Sequence, residues 1–330
     1  MDRFDPTTFL TCVAMLFHGL QALPCPPVPI PNNITEFSCS SRSLSNFPTG
    51  FPKETRIISV EFTNLSSIGV DALKGLPNLQ ELHLSNNRLR SLPDGLFRDL
   101  PELQALDLTA NFLEDLPPEI FRNTTALKQM ALGGNQLATL RPSWFQTLQG
   151  LEFLVLSNTS LKKVPAFCFS KLGNLTDLDL SQNALRGLSS HVLEGLSHLE
   201  KLDLEANQLQ TITEKTFHVV PRLKFLFLQN NNLINLPRRI LEPLDFLELL
   251  DVSNNQLTSL DLQFSPKAVN WSLDLSGNPW ECDCNMLSLV NQVKRHSITL
   301  YSKQNMLCNT PKSLEGRPVM SLAAAEFGSC

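Results

Sequence analysis

An eleven-residue pattern, LxxLxLxxNxL, begins at Leu79 (LQELHLSNNRL) and begins again at Leu103, Leu127, Leu151, Leu175, Leu199, Leu223 and Leu247, each time 24 residues further on. A degenerate copy opens at Thr55 (TRIISVEFTNL), and a copy one residue short opens at Asn270 (NWSLDLSGNPW), making ten in unbroken succession. A fixed period of this length is the mark of stacked structural repeats. A unit so short cannot bury an apolar face alone, so successive copies must lie against one another. Such a stack grows along one axis, and its two ends must be capped.

Within each copy the leucines at the fourth and sixth places alternate along a short strand and point to one side, into a core. The ninth place, where the chain leaves the strand, is asparagine in eight copies: Asn87, Asn111, Asn135, Asn183, Asn207, Asn231, Asn255 and Asn278. Its side-chain amide can satisfy backbone groups that the turn would otherwise bury unpaired. Thr63 and Thr159 stand there in the other two copies, where a hydroxyl does part of the same work. A second apolar column, Phe97, Phe121, Phe145, Phe169 and Phe217 with Leu193 and Leu241 between them, predicts an aromatic spine behind the sheet. The expected fold is a leucine-rich-repeat solenoid of the α/β horseshoe type. It has a parallel β-sheet on the concave side, irregular or short helical segments on the convex side, and disulfide-capped ends.

The expected organisation is a signal peptide over 1–23, an N-terminal cap over 24–54, ten repeats over 55–278 and a cysteine-rich C-terminal cap over 279–330. The apolar stretch from Phe9 to Leu20, followed by the small Ala22, reads as a secretory leader, although Asp2 and Asp5 replace the usual basic start. Loss of Asp2, Arg3 and Asp5 with the leader leaves 26 basic against 30 acidic residues, a net charge of −4. No later stretch is long and apolar enough to span a bilayer, so a secreted, soluble protein is expected. Export favours disulfides. Cys25 and Cys39 fit a one-disulfide N-terminal cap, and Cys282, Cys284, Cys308 and Cys330 fit a two-disulfide C-terminal cap, for which three pairings are open. Cys168 lies in an apolar column with Leu96, Ile120, Trp144, Val192 and Ile240, and is expected as a free, buried thiol. Six N-x-S/T sequons, at Asn33, Asn64, Asn123, Asn158, Asn174 and Asn270, mark a glycoprotein.

The third, fifth and seventh places alternate away from the core leucines and should form the concave surface. They carry Glu61, Glu81, Asp107, Asp177, Asp179, Asp203, Glu205, Asp251 and Asp274, nine acidic residues against Lys201 and His83. Phe153, Phe225 and Phe227 stand among them. Asp at the fifth place is also a favoured strand residue in repeats of this kind, so no single Asp there need serve a partner. The combined excess, with Glu61, Glu81, Asp177 and Glu205 at other places, points to a basic protein. An acidic field raises the encounter rate with such a partner, and aromatic side chains supply anchors. The net charge of −5 argues against nucleic acid, which needs a basic face. Catalysis is not expected. The sequence has no Gly-rich phosphate loop, no GxSxG and no HExxH, and no metal or other cofactor site is foreseen. Asp177 and Asp179 lie in an open trough with nothing evident to split their pKa values.

The stretches SVEFTNLSSI, LQELHLSNNRLRSLP, LKFLFLQNNNL and LDVSNNQLTSL, with the cap NPWECDC, resemble the leucine-rich alpha-2-glycoprotein family of serum proteins. The resemblance covers nearly all of the chain beyond the leader. The two-cysteine N-terminal cap separates it from the small proteoglycans, which carry four cysteines there. The usual pairing in such a C-terminal cap is Cys282–Cys308 and Cys284–Cys330. Of two branches, the snake serum phospholipase A₂ inhibitors of the beta class, directed at basic group II enzymes, suit the length and the acidic trough better. The alternative is the plasma glycoprotein that modulates signalling by engaging growth-factor receptors or cytochrome c. A third reading, an extracellular matrix structural protein, lacks a Ser-Gly attachment site near the N-terminus. The resemblance further implies blood plasma as the location and a homo-oligomer, a trimer.

Overall fold

The computed structural model describes residues 35–330, apart from 190, 266 and 329. The leader expected over 1–23, Cys25 and the sequon at Asn33 lie outside the described residues. Each repeat contributes one strand of three or four residues, from Ile57–Val60 to Ser272–Asp274. Neighbouring strands pair in parallel and in register, so that Leu178 lies opposite Leu202, and Leu202 opposite Leu226. Glu36–Cys39 precedes these strands and Thr299–Tyr301 follows them, giving a twelve-stranded sheet. Trp280–Glu281 and Cys308–Thr310 form a separate two-stranded sheet in the C-terminal cap.

The period of the sequence is thus the period of the structure. The fourth- and sixth-place side chains are buried from Ile58 and Val60 through to Leu273 and Leu275. The spine of Phe97, Phe121, Phe145, Phe169 and Phe217 is at most 1% exposed, with Phe97 and Phe121 stacked at 5.8 Å between ring centres. Burial of a side chain of this size contributes about 1.5–3 kcal/mol, so the spine is a large share of what holds the convex side against the sheet. Among the described residues that side is mostly turns, with one short 3₁₀ helix, Pro142–Phe145. Cys168 is a buried free cysteine whose thiol burial pushes up to about 12, which makes it a core hydrophobe with little nucleophilic character.

The asparagine ladder is a set of specific bonds. Asn111 Nδ2 donates to Leu108 O in its own repeat (3.0 Å) and to Leu84 O in the preceding one (2.9 Å), while its Oδ1 accepts from Leu89 N–H (3.1 Å). Each such side chain therefore closes its own turn and rivets it to its neighbour. Where threonine replaces it, the next rung reaches over: Thr159 N–H and Oγ1–H both donate to Asn183 Oδ1.

The eighth place was not singled out by sequence, yet it is left-handed in every repeat, from Phe62 (φ 55°) to Gly277 (φ 65°). Only two of these residues are glycine, at Gly134 and Gly277; the rest accept a cost of about 1 kcal/mol. In the first nine repeats this bend aims the N–H at the seventh-place carbonyl of the next repeat, as from Asn158 to Ser181 (3.0 Å) and from Gln182 to Glu205 (2.8 Å), and in the last Gly277 N–H reaches Asn305 O in the cap (3.3 Å). Backbone pairing thus continues past the end of the strand.

In the C-terminal cap, helix α1 (Cys284–Arg295) starts at Asp283, whose side chain accepts from the N–H groups of Asn285 and Met286. It buries Met286, Leu289, Val290 and Val293. Disulfides join Cys282 to Cys308 and Cys284 to Cys330. At the other end Cys39 is disulfide-bonded and buried. Among the described residues no helix is long and apolar enough to cross a membrane.

Candidate binding surface

The strand alternation that buries the leucines sets the third, fifth and seventh places on the opposite, concave face. Parallel strands lie only about 4.8 Å apart, so side chains there crowd sideways against the next rung. The acidic trough is consequently less open than alternation alone suggests. Asp107 and Asp179 are 8% and 5% exposed. Asp177, Asp203, Asp251, Asp274 and the three phenylalanines Phe153, Phe225 and Phe227 are half-buried rather than fully presented.

The fifth-place aspartates share one local bond. Asp107 accepts the N–H of Thr109 (2.8 Å); Asp179, Asp203, Asp251 and Asp274 accept those of Ser181, Glu205, Ser253 and Ser276 (each 2.9 Å). The carboxylate closes the strand exit two residues on, which explains why Asp is favoured at this place. In each case the bond engages Oδ1. The signal was in the sequence as an aspartate two places before a residue whose N–H leaves the ladder.

Towards the N-terminal end the carboxylates are held by the protein's own donors. Glu61 accepts from Ser59 Oγ (2.6 Å) and from Ser85 Oγ one repeat away (2.5 Å). Glu81 lies 3.1 Å from His83 Nε2, and that hydrogen bond holds its carboxyl below the usual range. His83 is thus the neighbour of Glu81.

Towards the C-terminal end the acids face one another across strands. Asp179 lies opposite Asp203, and Asp251 opposite Asp274. Burial, reinforced by the neighbouring Asp179, pushes the Asp203 carboxyl up to about 7. Burial pushes Asp251 up to about 6, with Asp274 adding to it. Asp107 and Asp177 are raised too, again mainly by burial. Asp177 is therefore desolvated, contrary to the open-trough expectation, because its strand is flanked on both sides. Glu205 accepts from Gln229 Nε2 (2.9 Å) and Asn230 Nδ2 (3.1 Å). Lys201 stands between Asp177 and Phe225 in register, with Nζ 5.4 Å from the ring centre of Phe227.

The sequons among the described residues sit off this face. Asn158 and Asn270 are exposed in left-handed turns, and Asn123 and Asn174 are exposed ahead of their strands. Asn64 is half-buried, its Nδ2 bonded to Arg42 O (2.5 Å). Among the described residues no group of three or more His, Cys, Asp or Glu is placed to hold a metal ion.

Comparison with known proteins agrees with this architecture. The family described as leucine rich repeat matches residues 53–113, 101–161, 150–209 and 197–257. The chain is 72% identical over 310 residues to a protein named phospholipase A2 inhibitor beta from Elaphe climacophora, covering 94% of this chain and 93% of that one. It is 58% identical over 100 residues to a phospholipase A2 inhibitor from Gloydius brevicaudus siniticus, about 30% of each chain. Among solved structures, one from the Toll–Spatzle complex of Drosophila superposes with a TM-score of 0.57 at 22% identity, over 88% of this chain and 54% of that one. That likeness speaks for the fold alone.

Proposed function

The chain belongs to the leucine-rich-repeat family and, within it, to the phospholipase A₂ inhibitors of the beta class, and from that premise we propose that it binds and inhibits a basic phospholipase A₂ on its concave face. The family membership favours this branch over the signalling glycoprotein and over a matrix protein. It also favours a binding protein over an enzyme.

The observation that carries the choice of surface is the acidic run from Asp177 to Asp274, interleaved with Phe225 and Phe227 on the same face. Carboxylates there meet the basic surface of a group II enzyme, and the half-buried rings supply desolvated anchor area. Glu61, Glu81 and Asp107 widen the field at the far end, and Phe153 extends the apolar strip. Glycans on the flanks leave the trough open. The site of action is the extracellular fluid, in blood plasma, and a trimer would present several such troughs at once.

Titration of the purified protein against basic and acidic phospholipases A₂, reading both hydrolysis and binding, tests this. Selective inhibition of the basic enzymes is expected. Inhibition of neither, or of both equally, would overturn the charge-based reading.

A further inference from the structure

Across the three outward columns the repeats carry a single lysine, Lys201. Its strand, Lys201–Asp203, lies between Asp177–Asp179 on one side and Phe225–Phe227 on the other. The side chain is half-buried, and it does not lie straight across towards Phe225. It reaches diagonally so that its ammonium sits 5.4 Å from the centre of the Phe227 ring, in the field of Asp177 and Asp203. An aromatic face flanked by carboxylates in a partly desolvated trough is the environment that holds a Lys or Arg head group. Here the chain fills it with its own cation.

We infer that Lys201 is a built-in competitor, its ammonium occupying the seat on Phe227 beside Asp203 that a lysine or arginine of the phospholipase takes in the complex. The inference rests on the concave-face reading above. Two cations cannot share one ring and one carboxylate in a trough that excludes water, because like charges placed together at an interface repel strongly. The partner must therefore displace Lys201 towards Asp177, its in-register neighbour. An arginine, whose planar head stacks on an aromatic face and is more weakly hydrated, displaces it better than a lysine does. Lys201 thus weakens binding to every partner while sharpening the preference for one that offers an arginine at this point.

The test is a binding series with one basic phospholipase A₂, using the full-length protein and the variants Lys201→Met, Lys201→Gln, Phe227→Leu and Lys201→Met/Phe227→Leu. Circular dichroism and melting confirm that each variant folds. Both substitutions at Lys201 are expected to tighten Kd about tenfold and to do so through slower dissociation. Phe227→Leu should weaken binding, and the double variant should lose most of the gain. Unchanged or weaker binding by both Lys201 variants, with the wild type binding normally, would overturn the competitor role and leave the inhibitor reading standing. A wild-type protein that binds no basic phospholipase A₂ would instead overturn the inhibitor reading, and this inference with it.

Discussion

Glu61 and Asp203 occupy the same face of the same sheet, six repeats apart, yet their carboxylates are treated in opposite ways. Glu61 is met by two serine hydroxyls of the protein, and its neighbour Glu81 by His83. Asp203 is met by another carboxylate across the strand gap and is pushed up by burial. An acid whose lone pairs are filled by internal donors acts as structure. An acid crowded against its like on a half-buried face costs stability, which the ammonium of Lys201 relieves only in part. Counting negative charges along the trough therefore treats unlike carboxylates as equal; on the proposed reading it is the C-terminal stretch that meets a basic partner.

The comparison can be broken most directly with isosteric neutralisations. The triple variant Asp179→Asn, Asp203→Asn, Asp251→Asn keeps an oxygen for the N–H two residues on while removing three charges. It should lose about a hundredfold or more in affinity for a basic phospholipase A₂, at the scale of about 1–2 kcal/mol for each close interfacial pair. The matching triple Glu61→Gln, Glu81→Gln, Asp107→Asn should lose less than about threefold, the scale of distant charges screened by salt. Equal losses from the two triples, read by surface-bound or calorimetric titration, would erase the distinction between the ends.

Stability separates the ends with the opposite sign. Glu61→Ala leaves the hydroxyls of Ser59 and Ser85 without their acceptor and should lower unfolding stability by about 1–2 kcal/mol. Asp251→Asn removes a carboxylate that burial disfavours and should be neutral or slightly stabilising. Urea unfolding of the two single variants decides between them; a loss for Asp251→Asn as large as that for Glu61→Ala would mean that the C-terminal acids are structural as well.

The smallest effect is in pH. Asp203 and Asp251 titrate near 7 and 6 in the folded protein, above the unfolded value of about 3.9. The folded form thus holds more protons across that interval, and their contribution to stability falls as pH rises through it. The melting temperature should climb by a few degrees on acidification from pH 8 to pH 6, whereas affinity for a basic partner should rise from pH 6 to pH 8 as Asp203 ionises. Asp203 faces Asp179 on one side and Phe227 on the other, with Lys201 and Glu205 on its own strand, so Asp203→Asn should flatten most of both trends. A binding profile that stays flat between pH 6 and pH 8 in the wild type would show Asp203 already ionised.

Much of the fold could be read from the chain because a repeat states the same instruction ten times. The leucines, the ninth-place asparagines and the phenylalanine spine each recur at a fixed place, and periodicity converts directly into position. The left-handed eighth place carried a partial signal, Asn86, Asn158, Asn230 and Asn254 with Gly134 and Gly277, which Phe62, Ala110, Gln182 and Ala206 interrupt. What they share is a backbone angle, imposed by the N–H that must reach the next repeat. The binding surface was legible as columns but not as energetics. Alternation told which way Asp107, Asp179 and Phe227 point; it could not tell that lateral crowding covers them, that Ser59 and Ser85 reach Glu61, or that Lys201 leans diagonally onto Phe227. Those depend on side-chain reach between strands, which a one-dimensional pattern does not contain.

The in-register pairing of every strand with the next has a consequence for how such a surface changes over generations. Because each turn hands the chain on through the same backbone bend, and eight of the ten through the same asparagine rivet, a 24-residue block that carries the asparagine is interchangeable at its seams. Duplicating the asparagine-bearing block from Leu127 to Gly150 would lengthen the trough by a single rung and slide the acidic end away from the serine-tied end. Every other contact would keep its partner. Spacing along the trough is thus a quantity that can be inherited, lengthened or shortened in whole steps, much as a ruler is cut only at its marks.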